Sequence, residues 1–167
     1  MESHSFAHVN LPQASHDEVV NYRYLALGLL SARVYSEDTA ELISECAVLD
    51  FDRDGVALIL PEEQVRPDQR VRLSLARKHV ARNAREELAI SFVPGNVRYV
   101  SDIGNGVRVG IKLEYAGHHD IEDTFRRRAI EIENYLDRHH ADAARMASSA
   151  YEVPEGYQVG GRMKYAV

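Results

Sequence analysis

Residues 45–60, E-C-A-V-L-D-F-D-R-D-G-V-A-L-I-L, are the stretch of this sequence that decides the fold. Two apolar arms flank a short polar connection, Asp52-Arg53-Asp54-Gly55. In each arm apolar side chains occupy both alternating sets of positions, which is typical of strands buried on both faces. The pattern predicts a β-hairpin inside a barrel or sandwich, with Gly55 at the positive φ that other residues resist.

This geometry predicts the effect of one substitution. Gly55→Val is expected to destabilise the fold, because a β-branched side chain resists positive φ. A thermal melt unchanged from wild type would contradict the predicted turn geometry.

Composition sets the class of protein. The chain has 167 residues, of which 45% are hydrophobic and 28% charged, values typical of a soluble globular domain with a core that needs no disulfides. Its one cysteine, Cys46, lies in an apolar run and is expected to be a small buried hydrophobic residue. No signal-peptide pattern opens the chain, and no apolar run approaches the ~18 residues of a spanning helix. We therefore expect a cytoplasmic protein that does not enter a membrane.

The charge pattern argues against general nucleic-acid binding. The net charge is −6, whereas neutralising a phosphate backbone requires a basic surface. Positive side chains are nevertheless clustered along the chain. The first cluster comprises Arg66, Arg70, Arg72, Arg77, Lys78, Arg82 and Arg85, and the second comprises Arg126, Arg127 and Arg128. Each cluster is compatible with a local anion site or with a plain solvated face.

A helix-capping signal and changes in the apolar pattern divide the chain into four parts. Residues 1–19 form an N-terminal extension with a helix that begins at the capping box Ser15-His16-Asp17-Glu18. Residues 20–117 form a β domain, residues 118–150 a long helix, and residues 151–167 an irregular tail. Residues 24–35 fit either a helix or a strand; the strongly β pattern downstream favours one strand.

The β domain contains further strands after the central hairpin. Residues 69–75 and 107–115 alternate regularly between apolar and polar side chains, and shorter alternating runs cover residues 88–92 and 97–103. Pro94-Gly95 predicts a bulge or bend, and Gly104-Asn105-Gly106 is a strong hairpin signal. Together these elements predict a mainly β protein with helices (α+β), built on a six-stranded antiparallel barrel.

From Asp120 onward the apolar period becomes that of a helix. Apolar side chains recur on one stripe at Ile121, Phe125, Ile132, Leu136, Ala143 and Ala147. At ~1.5 Å per residue this helix is ~40 Å long, more than the end of a small barrel requires. The stripe therefore fits either a helix lying over the barrel or a surface that docks a partner or a second copy through residues 121–147.

Two segments resemble the PilZ family, the bacterial receptor domains for cyclic di-GMP. C-A-V-L-D-F-D-R-D-G-V-A-L is similar to the family's D-x-S-x-x-G strand and turn. Residues 96–113, N-V-R-Y-V-S-D-I-G-N-G-V-R-V-G-I-K-L, resemble its closing hairpin, in which Gly110 is the matching glycine. The resemblance spans residues 20–140 and implies a PilZ-like barrel.

The resemblance also implies where a ligand binds. Asp50 and Gly55 match the turn motif, and Asp52 stands at its serine position. Arg23 matches the second member of the family's R-x-x-x-R motif, but Val19 stands at the first. The implied ligand-binding residues are therefore Arg23, Asp50, Asp52, Gly55 and Gly110, and the implied ligand is cyclic di-GMP.

Arginine suits the binding of cyclic di-GMP because its planar guanidinium pairs with phosphate or a guanine edge. The carboxylate of Asp52 accepts hydrogen bonds only and carries the same sign of charge as a phosphate. Arg33, the other candidate, has Leu29 four residues before it and matches the motif no better. The departures at residues 19 and 52 predict weak binding, unless the later arginines compensate.

Other chemistry has little support in the sequence. The pairs His118-His119 and His139-His140 are adjacent, whereas metal-chelating histidines on a helix stand four residues apart. Asp50, Asp52 and Asp54 have the spacing of the first ligands of an EF-hand calcium loop. The segments on either side of them have a strand pattern, whereas an EF-hand loop lies between two helices. No nucleophile elbow, phosphate loop or dinucleotide motif is present. We therefore expect no enzyme, no catalytic residue, no metal and no cofactor.

The resulting functional prediction is a non-enzymatic regulatory or adaptor protein of bacterial cyclic di-GMP signalling. We expect it to act mainly through protein–protein contacts made by the long helix and the barrel face. The alternative is a direct cyclic di-GMP receptor that uses Arg23 and the turn of residues 50–55.

Overall fold

The computed structural model describes residues 22–79, 85–115, 117, 119–148 and 162–164. The elements in chain order are β1 Tyr22–Leu25, β2 Leu30–Ser36, β3 Leu42–Asp52, β4 Gly55–Leu60, β5 Arg70–Lys78, β6 Glu86–Asp102, β7 Val107–Leu113, α1 His119–Ser148 and β8 Arg162–Lys164. The helix predicted for residues 1–19 lies outside the described residues.

Strands β2 to β7 close into an antiparallel barrel. Their order is β2-β5-β6-β7-β4-β3, and an additional pairing of β2 with β3 completes the ring. Strand β1 pairs with the far end of β3, and β8 pairs with β1, so that these two strands extend the sheet beyond the ring. The predicted six-stranded antiparallel barrel is confirmed, as is the hairpin of β3 and β4, in which Asp52 faces Gly55.

The core follows from the strand patterns. Val71, Leu73 and Leu75, the apolar set of the alternating run at residues 69–75, are fully buried in the core. Strand β4 is buried on both faces, with Val56, Ala57, Leu58 and Leu60 at 0% exposure. Cys46 is half-buried beside this core, and burial raises the pKa of its thiol to about 12.

Residues 24–35 correct the prediction of one strand. Two strands, β1 and β2, run along the same neighbour, β3, and a turn at Ala26 separates them. The amides of Leu29 and Leu30 both donate to the carbonyl of Ala26, and Gly28 takes a φ of 80°. The turn satisfies these amides locally, which ends the first strand.

The irregularity in β6 lies earlier than Pro94-Gly95. Strand β6 continues through both residues, and its register with β5 shifts where Leu73 and Leu75 face Val93 and Ile90. Phe92 takes a φ of 53° in this bulge, and its amide donates to the hydroxyl of Ser74. The bulge thus turns Phe92 outward, where it stacks on Tyr35 at 4.6 Å.

The expected positive φ at Gly55 is wrong. The glycines with positive φ among the described residues are Gly28, Gly104, Gly106 and Gly117. What Gly55 provides is space: a Cβ there would lie 3.1 Å from the carbonyl oxygen of Ile111 and 3.4 Å from Nη1 of Arg23. The Gly104 and Gly106 turn between β6 and β7 is confirmed as a hairpin.

Helix α1 lies over the barrel along its middle turns. Phe125, Ile132 and Leu136 of the predicted stripe are buried in the core, whereas Ile121 is 42% exposed. The Tyr135 hydroxyl donates to the carbonyl of Lys78 at 3.0 Å. This part of the stripe therefore packs against the chain's own barrel. Self-association through residues 121–147 stays a prediction.

Two further findings concern the rest of the chain. Residues 162–164, in the tail predicted to be irregular, form β8 beside β1. Among the residues that the structure describes, no helix combines the length and hydrophobicity needed to cross a bilayer.

Candidate functional site

The turn between β3 and β4 is organised by Asp52. Its Oδ1 accepts hydrogen bonds from the amides of Asp54 at 2.8 Å and Gly55 at 2.6 Å. Burial raises the pKa of the Asp52 carboxyl, and the opposing effects of Arg23 and of the two amides are smaller. One oxygen of the carboxylate thus serves the turn as an acceptor, the role that a serine hydroxyl would also fill.

Asp50 lies between two arginines. Nε of Arg23 is 2.7 Å from its Oδ1, and Nη2 of Arg108 donates to its Oδ2 at 3.2 Å. Asp50 is only 1% exposed, whereas the arginine side chains are 25% and 34% exposed. The buried carboxylate therefore holds one guanidinium from β1 and one from β7 at the barrel surface.

Both guanidinium groups retain unused donors. Nη2 of Arg23 and Nε of Arg108 are buried and have no hydrogen-bond acceptor among the described residues. Nε of Arg23 also lacks one, because its short ion pair with Asp50 is not aligned as a hydrogen bond. Oδ1 of Asp50 is likewise buried without an aligned donor, so the ion pair with Arg23 leaves hydrogen-bonding capacity unused on both side chains.

An open cavity of about 400 Å³ adjoins Arg23 and the turn. Its walls are formed by Arg23, Asp52, Asp54, Gly55, Arg98, Tyr99, Gly110, Ile111 and Lys112. Three side chains of this set are cationic and two are carboxylates, on a chain whose overall net charge is −6. The volume falls in the ~300–1,000 Å³ range of small-molecule sites.

Gly110 allows an aromatic ring to lie directly on the sheet. A Cβ at this position would overlap the ring atoms of Tyr99, which reaches over from β6. The guanidinium of Arg108 lies 5.9 Å from the centroid of the same ring. Tyr99 thus lies over Gly110 with Arg108 beside it, and it remains 41% exposed.

The structure brings the predicted site residues together. Arg23, Asp52, Gly55 and Gly110 line one cavity, and Asp50 pairs with Arg23 behind it. Arg33 lies elsewhere, on β2, where its Nε donates to Glu45 at 2.7 Å. Position 19, where the motif places its first arginine, lies outside the described residues.

Sequence reasoning missed four residues at this site. Arg98 and Tyr99 come from β6, and Arg108 and Lys112 come from β7. The regular alternation of β7 could have indicated two of them, because it places Arg108 and Lys112 on the same outward side as the predicted site residue Gly110. The register shift between Val97 and Tyr99, which brings Tyr99 opposite Gly110, had no such signal.

None of the described arginines of the first cluster lines this cavity. Arg70 and Arg72 form ion pairs with Glu37, and Arg77 lies over the ring of Tyr135. Arg70 also lines a second cavity, of about 610 Å³, with Ser36, Glu37, Asp38, Arg66, Asp68 and Gln69. The possibility that this cluster compensates for the missing arginine at the turn therefore has no support among its described members.

Helix α1 holds the turn from the other side. The carboxylate of Glu133 accepts from the Arg53 amide at 2.7 Å and from its Nη2 at 2.7 Å. The hydroxyl of Tyr115 donates to the carbonyl of Arg53. Glu133 is buried and separated from Arg53 by 80 positions, so the turn at the cavity is fixed by the helix.

Comparison with known proteins supports the fold through structure alone. No protein-family model and no curated protein sequence matches this chain. The PilZ domain of YcgR from Escherichia coli, in a structure with cyclic di-GMP, is similar with a TM-score of 0.51 and 12% identity, over 74% of this chain and 95% of that domain. The fold is therefore PilZ-like.

Two longer proteins are also similar. YcgR from Escherichia coli in complex with cyclic di-GMP has a TM-score of 0.52 and 13% identity over 77% of this chain. The match covers 49% of YcgR, so that this chain corresponds to about half of that protein. The inhibitor of motility MotI from Bacillus subtilis has a TM-score of 0.41 and 14% identity, over 68% of this chain and 51% of MotI.

Proposed function

We propose that this chain is a non-enzymatic regulatory protein of cyclic di-GMP signalling that takes the nucleotide into the cavity beside the β3–β4 turn. The observation that supports this most strongly is the cavity beside the turn, whose walls carry the three cationic side chains of Arg23, Arg98 and Lys112. Cationic side chains of this kind pair with a phosphate, and arginine also pairs with a guanine edge. The PilZ domain of YcgR, which shares the fold, has been crystallised with this nucleotide.

The charge objection raised by the sequence is weaker in the folded protein. One oxygen of Asp52 is engaged by two amides, and the other is 3.9 Å from Nε of Arg23. Arg98 and Lys112 add two cations that form no ion pair or hydrogen bond with any described residue. The motif's first arginine is replaced by Val19, and these two side chains, on β6 and β7, supply positive charge in its place.

Calorimetric titration with cyclic di-GMP tests this proposal. Arg23→Met removes a charge-assisted donor worth about 1.5–3 kcal/mol, so the Kd is expected to rise about 10- to 100-fold. The matched control is Arg33→Met, which removes an exposed arginine that is paired with Glu45 on β2. Its Kd is expected to equal that of wild type.

Two results would contradict the proposal. One is the absence of heat on titrating the wild-type protein, with its fold verified by its melting transition. The other is an equal loss of affinity in Arg23→Met and Arg33→Met, which would reflect overall charge rather than this cavity.

A second candidate function is an adaptor that acts through protein contacts without the nucleotide. It is supported by the ion pairs that Asp50 already makes with Arg23 and Arg108, since ligand binding has to compete with them. Two exposed side chains of α1 offer contact surfaces: Ile121, 42% exposed, at the start of the stripe, and Ile130, 39% exposed, on the opposite side of the helix. A protein that gives no heat with cyclic di-GMP but retains a stable fold would favour this candidate.

A further inference from the structure

Phe92 combines two features that each cost free energy. Its backbone has a φ of 53°, in the left-handed region that aromatic residues rarely adopt, and its side chain is 43% exposed. The β-bulge between β5 and β6 keeps the ring on the outside of the barrel, so the core gains no packing from it. Backbone strain that is held at an exposed apolar side chain points to a functional surface.

Phe92 belongs to an apolar patch on the outer face of four neighbouring strands. Its ring stacks on Tyr35 of β2, and Tyr35 faces Leu42 of β3 in the strand pairing. Leu42 is 51% exposed, and Leu88 of β6, which faces Ala76 of β5, is 58% exposed. We call Tyr35, Leu42, Leu88 and Phe92 the β2–β5 patch. Exposed apolar side chains grouped on one face mark an interaction surface.

The β2–β5 patch stays open in the part of the chain that the structure describes. Helix α1 packs against β1, β3 and β6, and Leu42, Leu88 and Phe92 remain exposed in its presence. The walls of the cavity beside the β3–β4 turn include β7 and the start of β4, which lie across the ring from β2 and β5. A partner on the patch therefore leaves that cavity accessible.

The charges around the patch indicate what kind of partner fits it. Arg33 and Glu45 lie 2.7 Å apart, and Nη2 of Arg72 lies 3.6 Å from Glu37. Because these charges are paired with the opposite sign, the face does not favour a strongly acidic or a strongly basic partner. A second copy of the chain carries both signs at the same places, so that about a twofold axis the cation of one copy can face the carboxylate of the other.

Local charge balance also matters because the chain as a whole is acidic. Two copies with a net charge of −6 each repel one another overall. A face on which arginines and glutamates alternate adds no such repulsion, and its apolar side chains gain from leaving water.

We propose that the β2–β5 patch is the interface through which two copies of this chain associate about a twofold axis, with Phe92 and Tyr35 of each copy at its centre. Aromatic side chains are enriched at the centres of such interfaces. The proposal concerns a different surface from the helix stripe of residues 121–147. It does not depend on the proposed function, since the cavity lies elsewhere on the barrel.

Sedimentation equilibrium of the full chain over a range of concentrations tests the proposal. The mass of the wild type is expected to approach that of two chains as the concentration rises. Phe92→Asn is expected to weaken this association about 100-fold or more, because the dimer loses two central aromatic rings. Asparagine is the replacement because it tolerates positive φ, so that the bulge is kept.

A matched control and a second variant make the test specific. Ile103, next to the β6–β7 turn, is 44% exposed, and Ile103→Asn is expected to associate like wild type. Leu42→Asn changes the patch without touching the bulge and is expected to weaken association at least about tenfold. Thermal melting of dilute samples verifies that each variant is folded.

The contrary results are distinct. A wild type that remains monomeric at every concentration would overturn the proposal, and so would a dimer that Phe92→Asn and Leu42→Asn weaken no more than Ile103→Asn does. A dimer that is weakened by Ile121→Asn and not by the patch variants would assign the association to α1 instead.

Discussion

Ile132→Ala is expected to lower the free energy of unfolding by about 2–5 kcal/mol. Ile132 is fully buried where α1 lies over the barrel, so truncating it leaves a cavity lined by core side chains. Denaturant unfolding followed by circular dichroism measures the change.

The same helix offers a matched control. Ile130 is 39% exposed, and Ile130→Ala is expected to change the free energy of unfolding by no more than about 0.5 kcal/mol. Equal effects of the two substitutions would contradict the packing of α1 on the barrel. A large loss confined to Ile132 would show that this side of the stripe stabilises the chain itself, which leaves the opposite side, with Ile130, for any partner.

Gly55→Val is expected to destabilise the protein by about 1–3 kcal/mol through overpacking. The reason differs from the one that the sequence indicated, because the backbone of Gly55 does not have positive φ. A valine would place its Cβ 3.1 Å from the Ile111 carbonyl oxygen and press its methyl groups toward the guanidinium of Arg23. The substitution is therefore also expected to displace Arg23 and weaken ligand binding. Thermal unfolding and the calorimetric titration measure the two effects.

Substitution by asparagine distinguishes a requirement for positive φ at Gly55 from crowding around it. Asparagine tolerates positive φ better than most residues, so Gly28→Asn, at a φ of 80° with no atom within 4 Å, is expected to remain close to wild type. Gly55→Asn is expected to destabilise like valine, because crowding there is independent of φ. A Gly55→Asn protein that melts like wild type would contradict the close approach of Ile111 and Arg23.

Much of the barrel could be predicted from the sequence because its signals are local. Strands β5 and β7 alternate regularly, and the Gly104-Asn105-Gly106 turn has the residues that its geometry requires. The turn between β1 and β2 escaped prediction because its residues, Leu27-Gly28-Leu29, are mostly apolar and continue the pattern of a strand. The bulge at Phe92 also has no local signal, since an aromatic residue is unusual at positive φ.

The candidate site was predicted where it follows a motif and missed where it depends on strand register. The resemblance to PilZ domains implied all of the predicted residues, of which Asp50, Asp52 and Gly55 are neighbours in sequence while Arg23 and Gly110 are not. Tyr99 reaches the site because a register shift aligns it with Gly110. The contact of Glu133 with Arg53 joins residues 80 positions apart, and only the packing of α1 determines it.

The central claim is that cyclic di-GMP binds in the cavity between Arg23, the β3–β4 turn and Tyr99. The most direct measurement is a titration of the isotopically labelled protein with cyclic di-GMP, followed by the backbone amide resonances in a two-dimensional NMR spectrum. We predict saturable shifts concentrated at Gly55, Tyr99, Gly110 and Lys112, with no change at Asp68 and Arg70 beside the second cavity. Unchanged resonances at the first four positions, or shifts confined to the second cavity, would contradict the claim.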